Sequence, residues 1–519
     1  MRGLGYHSHF LFLRGMASGC RCCRYGRGAT RPSKPDTNLK GNCKTRIASL
    51  FLHGRRPLAR RETSPCDHAI LRTGDHAFVD NRDLWGRPAM RFLSTGSVLT
   101  VFLILATAAR TEDLPRSGQP VFDRVIELVN ANFYDAAAID RFNAAARAQI
   151  NSGSGPRSGA RAPAQATEAI TSVLANLGVS HTGRFTPDTI DYFELSDIFR
   201  FAIRDDVRRL FAPDGEVRYP GIGMVTLAVG GRRFVSDVYD GSAAKKAGLL
   251  VGDEVLSVDG LPYREIGSFS DKVGRSVDIR LRRYRDAEPL SVRVEVERLR
   301  PLPMFEHAIE QSMVLDERDG RTIGYVRLWT LSTRDGLDLV AEALSRGRLK
   351  DAEGLVVDLR GRWGGGSADA AEFLVGGTPT FRLVSRRGDV TLANFRWQKP
   401  VVALIDEGTR SGLELFAYTL RQNSVPLVGE RTAGALLAGR AYVLPDDSLL
   451  ELAVSDAVIG DDLRLEGVGI APDISVAFPL AYAAGKDPQR EAALRVMGQL
   501  LDAGTKGRTI PSSEPAMTR

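Results

Sequence analysis

From Pro120 onward, apolar residues recur at helical spacing. Val121, Val125, Leu128 and Val129 fall on one face of a helix whose pattern ends near Asn132-Phe133-Tyr134-Asp135. The stretch 152–165, SGSGPRSGARAPAQ, has the composition of a flexible linker or loop. Periodicity resumes from Ala166 to Leu177, predicting a second helix that stops at Gly178 and delivers Ser180 and His181. Another short helical pattern covers Asp197–Leu210. Between 219 and 298 the pattern turns strand-like. YPGIGMVTLAV, RRFVSDVYD, GDEVLSVDG and VDIRLRRY read as strands, SAAKKAGL as a short helix closed by Gly248, and IGSFSDKVG (266–274) as a further helix. From about 300, long apolar runs alternate with helical patterns. TIGYVRLWT and VPLVGE read as strands and GLVVDLRG and PVVALID as buried strands, while DGLDLVAEALSRGR, ADAAEFLVG (368–376) and SGLELFAYTLRQ (411–422) read as helices. Continuous apolar strands with intervening helices indicate a parallel α/β layer, because such strands are covered on both faces. The chain is expected to be multi-domain α/β.

Composition changes that picture at one end only. At 519 residues, 43% hydrophobic and 26% charged, the chain is an ordinary globular sequence with room for two or three domains. Its net charge of +7 suggests a nucleic-acid partner, but residues 1–89 hold 17 Lys/Arg against 6 Asp/Glu. The other 430 residues hold 53 against 57, so the folded part has no basic footprint and no nucleic acid is expected. All five cysteines (Cys20, Cys22, Cys23, Cys43 and Cys66) also lie in 1–89. CRCC has no second Cys/His pair at zinc spacing, so no metal is expected. This segment is read as a mis-assigned or disordered extension. Met90 then opens RFLSTGSVLTVFLILATAARTEDLP: a basic Arg91, an apolar stretch shorter than a bilayer span, and Ala106-Thr107-Ala108 in the small-x-small pattern. Residues 90–108 are expected to be a signal peptide, translation to start at Met90, and the mature chain to be exported, periplasmic or extracellular, without cysteine or disulfide.

The order GIGM (221–224), AGL (247–249), GDEVLSVDG (252–260) and a late strand resembles a PDZ domain. The resemblance implies that backbone amides of Gly221, Ile222, Gly223 and Met224 capture a peptide's terminal carboxylate while the peptide adds as a strand.

Three turns after apolar runs could carry chemistry. Gly364-Gly365-Gly366 follows GLVVDLRG and exposes consecutive amides suited to an anion or oxyanion, or simply makes a tight turn. Ser411 follows PVVALID at a helix start; Ser411-x-x-Glu414 fits a capping box, and the same position suits a nucleophile. His181 is one of only two histidines beyond residue 89, the other being His307. It fits either a core side chain or a base.

Taken in order, FYD (133–135), LGVSHTG, the PDZ-like insert, VVDLRGRWGGG, DEGTRSGLE, LVGERTAGA (427–435) and EGVGIAPDI (466–474) resemble the C-terminal processing, or tail-specific, serine peptidases. The similarity runs from Pro120 to Pro479. It implies a crotonase/ClpP-like α/β peptidase core over 299–485, a PDZ-like domain over 216–298, a helical N-terminal region over 109–215 and a C-terminal helix and tail over 486–519. The better-known branch uses a Ser–Lys dyad, but Ala435 stands at the lysine position. The tricorn-core-like branch uses Ser, His, Glu and a second Ser, which fall on Ser411, His181, Glu466 and Ser180. The resemblance then makes Ser411 the nucleophile, His181 the general base, Glu466 and Ser180 its orienting pair, and Gly412 N–H with an amide of Gly364–Gly365 the oxyanion hole. In the tricorn core the residue after the nucleophile is acidic, which Gly412 is not. An exported serine endopeptidase acting on proteins or peptides is expected, without a cofactor and with peripheral proximity to a membrane. The alternative is an inactive relative that binds peptides or hydrophobic ligands. An acyl-CoA enzyme of crotonase-like architecture would leave the PDZ-like insert and signal segment unexplained.

Overall fold

Pro120 opens α1 (Pro120–Asn132) where its missing N–H is harmless, and the Gln119 side chain accepts the Phe122 N–H at 2.6 Å. The structure is a computed structural model describing residues 114–152, 162–367, 369–377, 379, 381–393 and 395–506. The extension 1–89, the expected signal segment 90–108 and residues 153–161 lie outside the described residues. After α1 come α2 (Ile139–Asn151), which the apolar pattern did not reveal, and α3 (Ala162–Ala175). α3 begins inside the stretch read as linker, because Pro163 falls in its first turn, where a fixed φ favours a helix start. The helices bury Phe122, Val125, Ile126, Phe142, Ile170 and Val173 with Leu450 and Leu452 from far downstream. Each such side chain contributes roughly 1.5–3 kcal/mol, so the stripe on α1 is sufficient to orient it.

β1 (Gly183–Phe185), α4 (Ile190–Ile198) and α5 (Arg204–Leu210) follow; turns at 199–203 split the single helical stretch expected there. Next are β2 (Tyr219–Gly221), β3 (Met224–Val229), β4 (Arg232–Val238), α6 (Ala243–Lys246), β5 (Glu254–Val258), β6 (Ser276–Arg282), β7 (Leu290–Glu295) and β8 (Glu297–Leu299). β3 to β7 form one antiparallel sheet in sequence order, with β3 at its edge and Leu227 and Val229 exposed there. The helix expected at 266–274 is a run of hydrogen-bonded turns. Ser268 and Ser270 favour turns over helix, and Asp271 and Gly274 adopt positive φ.

The rest of the chain is α7 (Pro301–Ser312), β9 (Val314–Arg318), β10 (Arg321–Arg327), α8 (Arg334–Ser345), β11 (Gly354–Asp358), α9 (Glu372–Val375), β12 (Phe381–Val384), β13 (Val390–Ala393), β14 (Val401–Ile405), α10 (Gly412–Gln422), β15 (Leu427–Gly429), β16 (Ala438–Val443), β17 (Leu449–Ser455), β18 (Ile474–Ser475) and α11 (Pro488–Lys506). The helix expected over 368–376 is confined to α9. The core sheet runs β18-β15-β14-β11-β10-β9, parallel throughout except at β9. β11 and β14 are buried along their whole length, as their unbroken apolar runs require. α11 covers one face, packing Ala493, Leu494 and Met497 against Val356, Val402 and Leu404. β1-β17-β16 make a separate antiparallel sheet. Because β10, β11, β14 and β15 are parallel, the loops after them gather at one edge, where open α/β sheets place their sites.

Candidate active site

Ser411 stands between β14 and α10 with φ 56°, a left-handed conformation that costs a non-glycine residue about 1–3 kcal/mol. Its hydroxyl caps nothing. The proposed capping partner, Glu414, is buried and accepts from Thr432 Oγ1 at 2.6 Å, Gly434 N at 2.9 Å and Ala435 N at 2.7 Å. Glu414 thus anchors the 432–435 loop, and the helix-cap account of Ser411 fails.

That loop supplies a single peptide group that joins Ser411 to Glu466. The Ala435 carbonyl accepts the Ser411 N–H at 2.8 Å, and the Leu436 N–H donates to Glu466 Oε2 at 2.9 Å. Glu466 accepts the Ser180 N–H at 2.7 Å and the Ser180 hydroxyl at 2.8 Å. Ser180 Oγ lies 2.8 Å from His181 Nδ1. A hydroxyl has one proton, and the carboxylate takes it. Ser180 Oγ must then accept from Nδ1–H, which assigns the tautomer and leaves Nε2 as the free base. His181 is 8% exposed and, like Ser411, has positive φ, 49°. Burial pushes its imidazole down to about 4, with Arg410 adding to the effect and Glu466 opposing it. Arg410, whose charge acts on His181, immediately precedes Ser411, and its guanidinium lies 5.6 Å from the Trp363 ring centroid.

The glycine turn after β11 packs against the start of α10. A Cβ at Gly364 would lie 2.4 Å from Gly412 N and 2.6 Å from Ser411 Cβ; one at Gly412 would lie 1.7 Å from the Gly365 carbonyl oxygen. No side chain fits at 412, so an acidic group cannot stand there in this structure. The Gly364 carbonyl accepts from Leu331 N at 3.0 Å, Thr330 Oγ1 at 3.1 Å and Ser332 Oγ at 3.3 Å. In a trans peptide the N–H opposes the C=O, so the Gly365 N–H is turned away from those donors. Of the two amides left open by the sequence, Gly365 is the one so fixed.

The 221–224 loop lies apart from this cluster. The Ile222 carbonyl accepts from Ala244 N at 2.8 Å, and the Gly223 carbonyl from Tyr239 N at 3.0 Å. Gly223 has φ +79°, and a Cβ there would meet Ser242 Cβ at 2.3 Å. From the same region the Tyr239 hydroxyl donates to Glu194 Oε1 at 2.7 Å, while Glu194 Oε2 accepts from Arg362 Nε at 2.9 Å and from Trp363 Nε1. Glu194 is fully buried; burial pushes its carboxyl up, against the pull of Arg362. Arg362 also pairs with Asp191. Sequence reading missed Thr330 and Ser332, which hold the glycine turn through the Gly364 carbonyl, and gave Glu414 only a cap's role.

Residues 322–476 match the family described as Peptidase family S41, and residues 234–283 match PDZ domain. The chain is similar to the carboxy-terminal processing protease CtpB of Bacillus subtilis, 24% identical over 307 residues covering 56% of this chain and 62% of that protein. It is also similar to a carboxyl-terminal-processing protease of Synechocystis sp., 29% identical over 298 residues covering 53% of this chain and 66% of that one. The match thus spans less than two thirds of the length of these relatives. Among solved structures, the tricorn protease aligns with TM-score 0.43 at 19% identity, over 74% of this chain and 37% of that chain. In a mixed α/β fold, the chain carries a PDZ domain followed by a Peptidase family S41 core.

Proposed function

We propose that the chain is an exported serine endopeptidase of the tail-specific type, working through Ser411, His181 and Glu466 rather than a Ser–Lys dyad. The observation that carries this reading is the unbroken run of hydrogen bonds from Ser411 through the Ala435–Leu436 peptide and Glu466 to Ser180 and His181. Ser411 Oγ attacks the substrate carbonyl carbon while His181 Nε2 takes the hydroxyl proton. The Gly365 and Gly412 N–H groups hold the oxyanion that forms. As the C–N bond breaks, the imidazolium gives its proton to the leaving amine. Water then repeats the sequence on the acyl-enzyme. Glu466, acting through Ser180, stabilises the imidazolium without itself taking the proton.

The substrate's C-terminal residues add to the open edge of β3, and the 221–224 amides hold the terminal carboxylate. Peptidase assay of the chain beside Ser411→Ala tests the catalytic reading: activity is expected in the first alone, and equal activity in both sinks it. N-terminal sequencing of the exported protein is expected to begin near Ala109; a product containing Cys20 or Cys43 refutes the signal assignment.

A further inference from the structure

The proposed mechanism leaves one buried acid at the site unused. Glu451 lies in β17, where Leu450 and Leu452 face the helices α1 to α3 and strand alternation turns Glu451 to the opposite face. It is 4% exposed, and among the described residues nothing donates a hydrogen bond to its carboxyl or forms an ion pair with it. A Cβ at Gly439 would lie 3.0 Å from Glu451 Oε1 and 3.1 Å from His181 Cδ2. Carboxyl and imidazole therefore flank one point, and Cδ2 is bonded to Nε2. The acid stands towards the ring's Cδ2 side, not the Nδ1 side that meets Ser180. The charged groups facing it are Arg410 from the loop before α10, Asp191 of α4 with its partner Arg362, and His181 with Glu466 behind it.

We propose that Glu451 is a positioning residue of the same centre: its carboxylate is the counter-charge that offsets Arg410 when His181 becomes an imidazolium. The proposal rests on the peptidase reading. Once His181 takes the Ser411 proton, two cations, imidazolium and Arg410, stand close together in a poorly solvated site. Glu466 opposes this only through Ser180, from the Nδ1 side. Ionised Glu451 acts from the Cδ2 side and cancels Arg410 directly. A buried acid without a donor does nothing for stability, since desolvation penalises its charged form. Burial accordingly holds Glu451 up at about 7, with Asp191 reinforcing this and Arg410 opposing it. The carboxylate, and with it the full field, is present only above that pH.

The test is the rate of Ser411 labelling by a fluorophosphonate across pH, on the full chain. In the wild type the rate is expected to rise through an inflection near 7. Glu451→Gln should lose that inflection, and its rate above it should fall on the order of tenfold. Its thermal midpoint at alkaline pH should equal or exceed the wild type's. The sign follows from linkage: an acid whose folded pKa is raised loses stability as pH rises through that value, and glutamine does not. Faster loss of structure together with slower labelling would mark Glu451 as merely structural and overturn the proposal. Arg410→Gln is an independent arm: without the cation that favours the carboxylate, the inflection should move to higher pH. An inflection unmoved in both variants overturns the role of Glu451 alone. Absence of labelling in the wild type, with or without Ser411→Ala beside it, overturns the peptidase reading and this proposal with it.

Discussion

A histidine held near 4 is a weaker base than free imidazole, but it is never silenced by protonation at neutral pH. The acidic limb that an ordinary histidine would place near 6.5 is therefore expected close to 4, separate from the inflection assigned to Glu451. His181→Ala and Ser411→Ala should each lower kcat/KM by at least ~10³-fold, and the double variant should be hardly worse, since parts of one unit fail together. Glu466→Gln should cost less, because in the proposed mechanism it orients the base without transferring a proton. Near-wild-type turnover in His181→Ala would make the histidine structural. The same displacement has a stability consequence. The unfolded chain protonates this histidine near 6.5 and the fold only near 4, so its contribution is complete above 6.5 and is lost as pH falls towards 4. Urea midpoints of His181→Ala should vary less with pH across that window than those of the wild type.

At the scale of elements, the site depends on β16 having no side chain where His181 packs. A Cβ at Gly439 would approach His181 Cδ2, His181 Cβ and Glu451 Oε1 to 3.0–3.2 Å, tighter than normal packing. Gly439→Val should thus displace the imidazole and abolish labelling of Ser411 while circular dichroism stays native; unchanged labelling would show that the ring has room to move. This is also where legibility in the sequence stopped. Ser411, His181 and Glu466 could be read because short blocks around them resemble a known family, and the buried strands because their apolar runs are unbroken. Gly439 and Glu451 could not, since their meaning comes from contact between β16, β17 and a loop some 260 residues earlier in the chain. The partners of Glu414 were hidden for a related reason. Its spacing from Ser411 satisfies a local capping rule, and only the folded 432–435 loop shows its three further donors. The last residues of the linker, 162–165, and the helix at 266–274 failed where composition was read without the position of Pro163 or the positive-φ residues.

At the scale of the molecule, the open edge of β3 sets the test of substrate capture. Gly223→Val is unsuitable, because its side chain would collide with Ser242 and disturb the fold itself. Leu227 is exposed on the edge, and Leu227→Asp should weaken binding of free-acid peptides several-fold without altering Ser411 labelling. Equal affinity of the wild type for amidated and free-acid peptides would rule out carboxylate capture. Glu194 carries a different implication, one for how such a chain can be cut and recombined. Its carboxyl is hydrogen-bonded from two directions: by the Tyr239 hydroxyl on one side, and by Arg362 and Trp363 on the other. Further ties cross the same boundary, Asp237 to Arg327 at 2.7 Å and Tyr482 to Glu254 at 2.8 Å. The inserted domain is therefore not a detachable cassette. Excising 219–299, or grafting a foreign counterpart without a tyrosine at this position, removes the Tyr239 donor from the buried Glu194 carboxyl, whose other partners, Arg362 and Trp363, directly precede Gly364. The damage would surface as a poorly formed oxyanion site rather than as lost recognition alone. Exchange by recombination should succeed only when both halves of the boundary travel together.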